Sequence, residues 1–297
     1  MNAYSPRRTS RSQFLSLRGL RHHVRTWDPD PGQAPAGTLV MLHGWMDVSA
    51  SFQFVVDALR RNWQVLAPDW RGYGLTDRAQ ADCYWFPDYL ADLDQLLDAL
   101  LPDEPVALVG HSMGGNVATL YAGIRPQRVS RLVNLEGMGL APTRPEEAPE
   151  RYARWFDELR EGARVRDYAS REEVAQRLMH NDSRLSPAFA AYLAQHWARP
   201  AASGRFELAG DPAHRIVNPV LYRVEEALAC WRAVSADVLL VLSEGFDRRH
   251  AFVDTPEYRE RLSAFRSLRT VRVADAGHMI HHDQPAEVAR LIEEFVR

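Results

Sequence analysis

The chain of 297 residues contains no lysine, so all 36 of its basic residues are arginine. That absence excludes a Schiff-base lysine and the lysine of a phosphate-binding P-loop. Cysteine is nearly missing as well: Cys83 and Cys230 are the only two. A disulfide scaffold is not supported, and a reducing cytoplasm is the expected compartment. No apolar run approaches the ~20 residues that span a bilayer. The opening Met1–Arg11 has arginines but no apolar core of the kind found in signal peptides. A formal charge of −3 provides no general attraction to nucleic acid or anionic lipid. What is present in quantity is hydrophobic sequence, 46% of the chain, enough for the core of one large α/β domain.

Residues 1–12 read as a loose tail. Beyond them, Gln13–Leu17 and His22–Trp27 form a hairpin-like pair of strands about Gly19. Apolar strands follow at Thr38–Leu42, Trp63–Ala67, Val106–Val109, Arg131–Leu135, Val238–Leu242 and Thr270–Ala274. Between them lie helical patterns, clearest in the leucines at 90, 93, 96, 97 and 100 and in the segment from Pro285 to Arg297. Almost wholly apolar strands alternating with helices imply a parallel sheet covered on both faces. The rhythm breaks between residues 140 and 232, a stretch rich in aromatics that reads as a helical insertion over the sheet's C-terminal edge. The expected organisation is therefore a core of residues 13–139 and 233–297 with a cap of residues 140–232.

The most informative run is Val106-Ala-Leu-Val-Gly-His-Ser-Met-Gly-Gly115. A buried strand enters a serine flanked at two residues on either side by glycine, and helix-forming sequence follows. Such a turn holds its serine at strained angles, and side chains at the glycine positions would collide with the neighbouring backbone. Ser112 is the candidate nucleophile, and it needs a base to take its proton. The Met113 N–H stands at a helix N-terminus, suited to an oxyanion. Gly72-x-Gly74 followed by Asp77 does not match the dinucleotide fingerprint. No cofactor and no metal site is expected; the adjacent His281 and His282 are read as flanking the last helix.

In order and spacing, His43-Gly44-Trp45, Asp69-x-Arg71-Gly72-x-Gly74, the Ser112 turn and Gly277-His278 resemble the α/β-hydrolase superfamily. The resemblance covers nearly everything outside the tail and the insertion. It implies a mostly parallel, doubly wound sheet with an inserted helical cap. It also implies His278 as the base, the Trp45 amide as second oxyanion donor beside Met113, and structural roles for Asp69 and Arg71. The third triad member stays open. The superfamily usually carries it after the strand that follows the insertion, which favours Asp247, with Glu244 nearby. Some members carry it at the end of the preceding strand, which here is Glu136.

The function expected on this basis is a serine hydrolase acting on small-molecule esters with an apolar acyl or aryl part. The alternatives are a carbon–carbon bond hydrolase of ring-cleavage products and a ligand-binding protein of the same fold. A serine at position 112 disfavours dehalogenase and epoxide-hydrolase chemistry, which need a carboxylate there. The oligomeric state stays open.

Overall fold

The computed structural model describes residues 3–163, 166–246 and 255–297. Along the chain, β1 (Arg11–Leu17), β2 (Leu20–Trp27), β3 (Gly37–Leu42), α1 (Gln53–Ala58), β4 (Trp63–Pro68), α2 (Phe86–Leu100), β5 (Val106–His111), α3 (Met113–Ile124) and β6 (Val129–Leu135) come first. The segment after β6 contains α4 (Ala148–Glu161), β7 (Asp167–Tyr168), α5 (Arg171–Asn181), α6 (Pro187–Trp197), β8 (Ala198–Pro200), β9 (Phe206–Leu208) and α7 (Val224–Arg232). The chain then returns through β10 (Asp237–Ser243), α8 (Pro256–Ser263), β11 (Leu268–Val273), α9 (Ile280–Asp283) and α10 (Pro285–Phe295).

Eight strands form one sheet in the order β1-β2-β4-β3-β5-β6-β10-β11. The hairpin strands β1 and β2 are antiparallel, and the six from β4 to β11 run parallel. The alternation of side chains decides which core each residue joins. Val40, Leu42 and Leu108 face α2, α3 and α7, where Leu93, Tyr121 and Trp231 pack. Leu39, Met41 and Val109 point the other way, onto Phe52, Val55 and Ile292 of the α1 and α10 side. With both faces covered, the five parallel strands from β4 to β10 are mostly buried and read as apolar runs, whereas the edge strand β11 is largely exposed.

The strap of polar contacts around β2 and β4 is deeply buried. Asp69 accepts from the Ser49 and Leu75 amides at 2.7 and 2.9 Å and lies 2.7 Å from His23 Nδ1. Burial opposes its ionisation, but these hydrogen bonds outweigh that cost and hold its carboxyl well below the usual range. Arg71 grips Asp92 through two bonds of 2.6 and 2.7 Å. Both residues thus brace the loop that leads toward the site.

Two sequence expectations need correction. The N-terminal tail is not loose from Tyr4 onward: its ring packs edge-on against Phe54, Phe189 and Tyr192 at 5.0–5.1 Å. Its hydroxyl and the amides of Arg7 and Arg8 all donate to the Asp57 carboxylate. Contacts so far apart in sequence leave no local pattern. Segment 140–232, read from the sequence as helical, carries α4 to α7 and also the small antiparallel sheet β7-β9-β8. Its strands have two or three residues, too few to show a period of two. Among the described residues, no helix is long and apolar enough to cross a membrane.

Candidate active site

At the C-terminal end of β5 the chain turns at Ser112, whose φ of +50° lies in the left-handed region that a side-chain-bearing residue rarely adopts. Its neighbours show why glycine is needed there. A Cβ on Gly110 would lie 2.4 Å from the Gly114 carbonyl oxygen, and one on Gly114 would lie 2.1 Å from that of Leu42. The strained turn is anchored by the Ser112 amide, which donates to the Leu135 carbonyl at 2.8 Å.

His278 follows β11 and brings its ring over this turn. Its Nε2 is 3.0 Å from Ser112 Oγ, and its Nδ1 is 2.7 Å from Glu136 Oε2. Glu136 stands immediately after β6 at a φ of +61° and is 4% exposed. Its other oxygen, Oε1, accepts from the Ser243 amide at the end of β10 at 2.7 Å. Burial works against the charge, yet the bonds from His278 and Ser243 prevail and keep the carboxyl below its ordinary value. An ionised Glu136 accepts only, so Nδ1 carries the imidazole proton and Nε2 is left free to accept from the Ser112 hydroxyl. His111 adds a further tie: its Nε2 donates to the His278 carbonyl at 2.8 Å. Burial pushes the His111 imidazole well below its usual value, so it stays neutral.

Asp247, the carboxylate favoured by the sequence, lies outside the described residues. Glu244 is exposed, with its amide paired to the Val273 carbonyl at 3.0 Å. The carboxylate found at His278 Nδ1 is Glu136.

Trp45 and Met113, whose amides the sequence singled out, line the same cavity as Ser112. Among the described residues, no carbonyl or side chain accepts from the backbone N–H of Trp45 or of Met113. The loop carrying Trp45 passes so close to the Ser112 turn that a Cβ on Gly44 would lie 2.8 Å from His111 Nδ1 and 3.4 Å from Ser112 Cβ. Trp45 is 54% exposed and lines two cavities. One, of about 270 Å³, is lined by Ser112 and Met113 and walled by Tyr84, Trp85, Phe86 and Tyr89. The other, of about 530 Å³, is lined by His278 and Met279 and extends under segment 140–232.

Two features escaped the sequence reading. His214 is sandwiched between Tyr73 and Tyr84 with ring centroids at 3.8 Å from each. Its Nε2 donates to the Arg71 carbonyl, its Nδ1 faces the Tyr89 hydroxyl, and its own carbonyl accepts from the Trp45 indole at 3.2 Å. Burial lowers this imidazole to about 3. A lone histidine in the insertion offers no signal of such a clamp. The second feature is the buried group Asp47, His281 and His282, whose potential ligand atoms all lie within 4.8 Å of one another. One Asp47 oxygen accepts from the Val48 amide and the Ser51 hydroxyl. The other is 3.5 Å from His281 Nε2, which links the Trp45 loop to α9.

The family model of the alpha/beta hydrolase fold matches residues 37–285. The chain belongs to the α/β-hydrolase family. It is similar to a serine hydrolase-like protein of Danio rerio, with 26% identity over 92% of this chain and 84% of that protein. It is also similar to a cis-3-alkyl-4-alkyloxetan-2-one decarboxylase of Shewanella oneidensis, with 26% identity over 95% of this chain and 87% of that protein. Among solved structures, the thioesterase domain from the curacin biosynthetic pathway superposes with a TM-score of 0.83. That match covers 96% of this chain and 99% of that one at 23% identity, a likeness of fold. Members of a family that hydrolyse and members that decarboxylate share this scaffold, so the chemistry of this α/β-hydrolase must be argued from its own site.

Proposed function

We propose that this α/β-hydrolase is a serine hydrolase that cleaves carboxylic esters with an apolar acyl or aryl part through an acyl-enzyme. The observation that carries the proposal is the unbroken relay from Glu136 through His278 to Ser112, with bonds of 2.7 and 3.0 Å. Ser112 Oγ attacks the carbonyl carbon as His278 Nε2 takes its proton. Glu136 holds the required tautomer and stabilises the imidazolium that forms. The Trp45 and Met113 amides receive the oxyanion, and the α3 dipole reinforces the second of them. His278 then returns the proton to the departing oxygen. Water, deprotonated by the same nitrogen, releases the acid and restores Ser112.

Segment 140–232 acts as the cap that sets the pocket, and its aromatic lining on the Ser112 side favours an apolar acyl group. The same balance of protons applies to a thioester, the bond class for which the structurally similar thioesterase domain is named. Ser112 also argues against the carboxylate-nucleophile reactions, because a hydroxyl cannot form their ester intermediate. The test is hydrolysis of p-nitrophenyl esters graded by acyl length. The wild-type chain is expected to turn over, and Ser112→Ala is expected to lose at least about 10⁴-fold in kcat. Turnover by the alanine variant near the wild-type rate would end the proposal, and an inert wild type would favour a binding protein.

A further inference from the structure

The cavity on the His278 side differs from its neighbour in charge. Its floor is apolar, built from Leu178, Leu185, Leu193 and Trp197, but Arg166, Arg177 and Arg215 also line it. Among the described residues, none of these three arginines forms an ion pair with a carboxylate, and several acids close to them in sequence accept hydrogen bonds or ion pairs elsewhere, although Asp182 keeps one buried oxygen without a partner. Glu173 accepts from the Ala169 amide at 2.6 Å, and Asp167 pairs with Arg205 at 3.4 Å. Glu207 pairs with Arg78 and Arg199 at 2.9 and 2.7 Å. Asp211 accepts from the Tyr84 hydroxyl and the Ala213 amide. The one carboxylate of the cavity, Asp182, accepts from the Arg184 amide at 3.1 Å. Arg166 lies over the Tyr168 ring at 5.3 Å, so a cavity wall supports its guanidinium. Three arginines without a carboxylate partner thus line a largely apolar cavity.

The geometry of the relay assigns a side to each half of the substrate. The acyl carbon ends on Ser112 with its oxygen toward Met113, and both residues line the smaller, aromatic cavity. The departing atom must meet His278 Nε2, and His278 lines only the larger cavity. We propose that the larger cavity receives the leaving group, and that this group is an apolar chain ending in an oxyanion, carboxylate or phosphate, held by Arg166, Arg177 and Arg215. The proposal rests on the hydrolase reading above. Guanidinium forks match both oxyanions, and low-dielectric walls concentrate the positive field on the chain end.

Two measurements test it. First, full-length Ser112→Ala is titrated calorimetrically with hexyl phosphate, hexanoate and hexanol, so that binding is read without turnover. At least one oxyanion is expected to bind about 10-fold or more tightly than the alcohol, with the preference lost in Arg177→Gln/Arg215→Gln and weakened by salt. The phosphate and carboxylate arms show which oxyanion fits. Second, butanoate esters of alcohols tipped with carboxylate or with a methyl-capped carboxylate are compared by kcat/KM. The ratio is expected to favour the anion in the wild type and to fall about 10-fold or more in the double variant. Should that variant fold poorly, the salt dependence of the wild-type ratio serves in its place. Ester hydrolysis with no oxyanion preference overturns this inference alone. Oxyanion binding without any ester hydrolysis overturns the hydrolase reading and the leaving-group assignment together.

Discussion

Exchange of Glu136 for glutamine removes one charge and one acceptor from a site that uses both carboxylate oxygens. The Ser243 amide donates to Oε1 and His278 Nδ1 to Oε2, each at 2.7 Å. A glutamine has a single acceptor, and at 4% exposure water cannot replace the lost one. Turning its NH₂ toward Ser243 sets donor against donor and leaves a buried amide unpaired, at a cost of about 1–3 kcal/mol. Turning the NH₂ toward His278 avoids that cost, because a neutral imidazole can shift its proton to Nε2. The second arrangement wins, and Nε2 then donates where it should accept. A base held in the wrong tautomer loses on the order of 10⁴ in kcat, which corresponds to about 5.5 kcal/mol of transition-state stabilisation. Stopped-flow release of p-nitrophenol from a butyrate ester measures this directly, with circular dichroism to confirm the fold. Asp247→Asn is the comparison and should leave kcat within about 10-fold of wild type. A Glu136→Gln enzyme within that same range, with Asp247→Asn as the crippled variant, would refute the reasoning.

Three further outcomes are expected. Burial lowers the imidazoles of His196 and His214 to about 4 and about 3, so the native state refuses protons that the unfolded chain accepts below about pH 6.5. Stability should therefore be full above that pH and fall by about 1.4 kcal/mol per unit for each of these groups as the pH drops toward its folded value; equal urea midpoints at neutral pH and near pH 5 would contradict this. Gly114→Ala drives a Cβ to within 2.1 Å of the Leu42 carbonyl and should cost about 3 kcal/mol or the activity, whereas Gly204→Ala, with open space around it, should cost about 1 kcal/mol for its positive φ. Tyr4→Ala removes a ring wedged between Phe54 of α1 and Phe189 and Tyr192 of α6, and a loss of about 2 kcal/mol in urea unfolding is expected; an unchanged midpoint would mean the N-terminal strap is ornamental.

What could be read in the sequence was what local sterics impose. Gly110, Ser112 and Gly114 carry their reason in a turn of a few residues, and the almost wholly apolar strands report a sheet covered on both faces. His278 and Trp45 were implied by the family resemblance that the motifs carry in their order along the chain. The partner of His278 could not be chosen that way, because β6 and β10 are neighbours in register. Leu135 lies beside Val241, and the Glu136 amide donates to the Val241 carbonyl. The loops after the two strands therefore start side by side, and the contact of Glu136 with His278 depends on a φ of +61° at Glu136 and on a Ser243 amide more than a hundred residues away. The His214 clamp and the Tyr4 strap are likewise products of long-range packing.

The central claim is that Ser112 is a nucleophile activated by His278, and covalent labelling tests it most directly. The wild-type chain is treated with a fluorophosphonate and digested, and the adduct is located by mass spectrometry. The account predicts one rapid adduct on Ser112, slowed by orders of magnitude in Glu136→Gln and absent in His278→Ala. A folded wild-type protein that leaves Ser112 unlabelled, or a His278→Ala variant that labels at the wild-type rate, would contradict it.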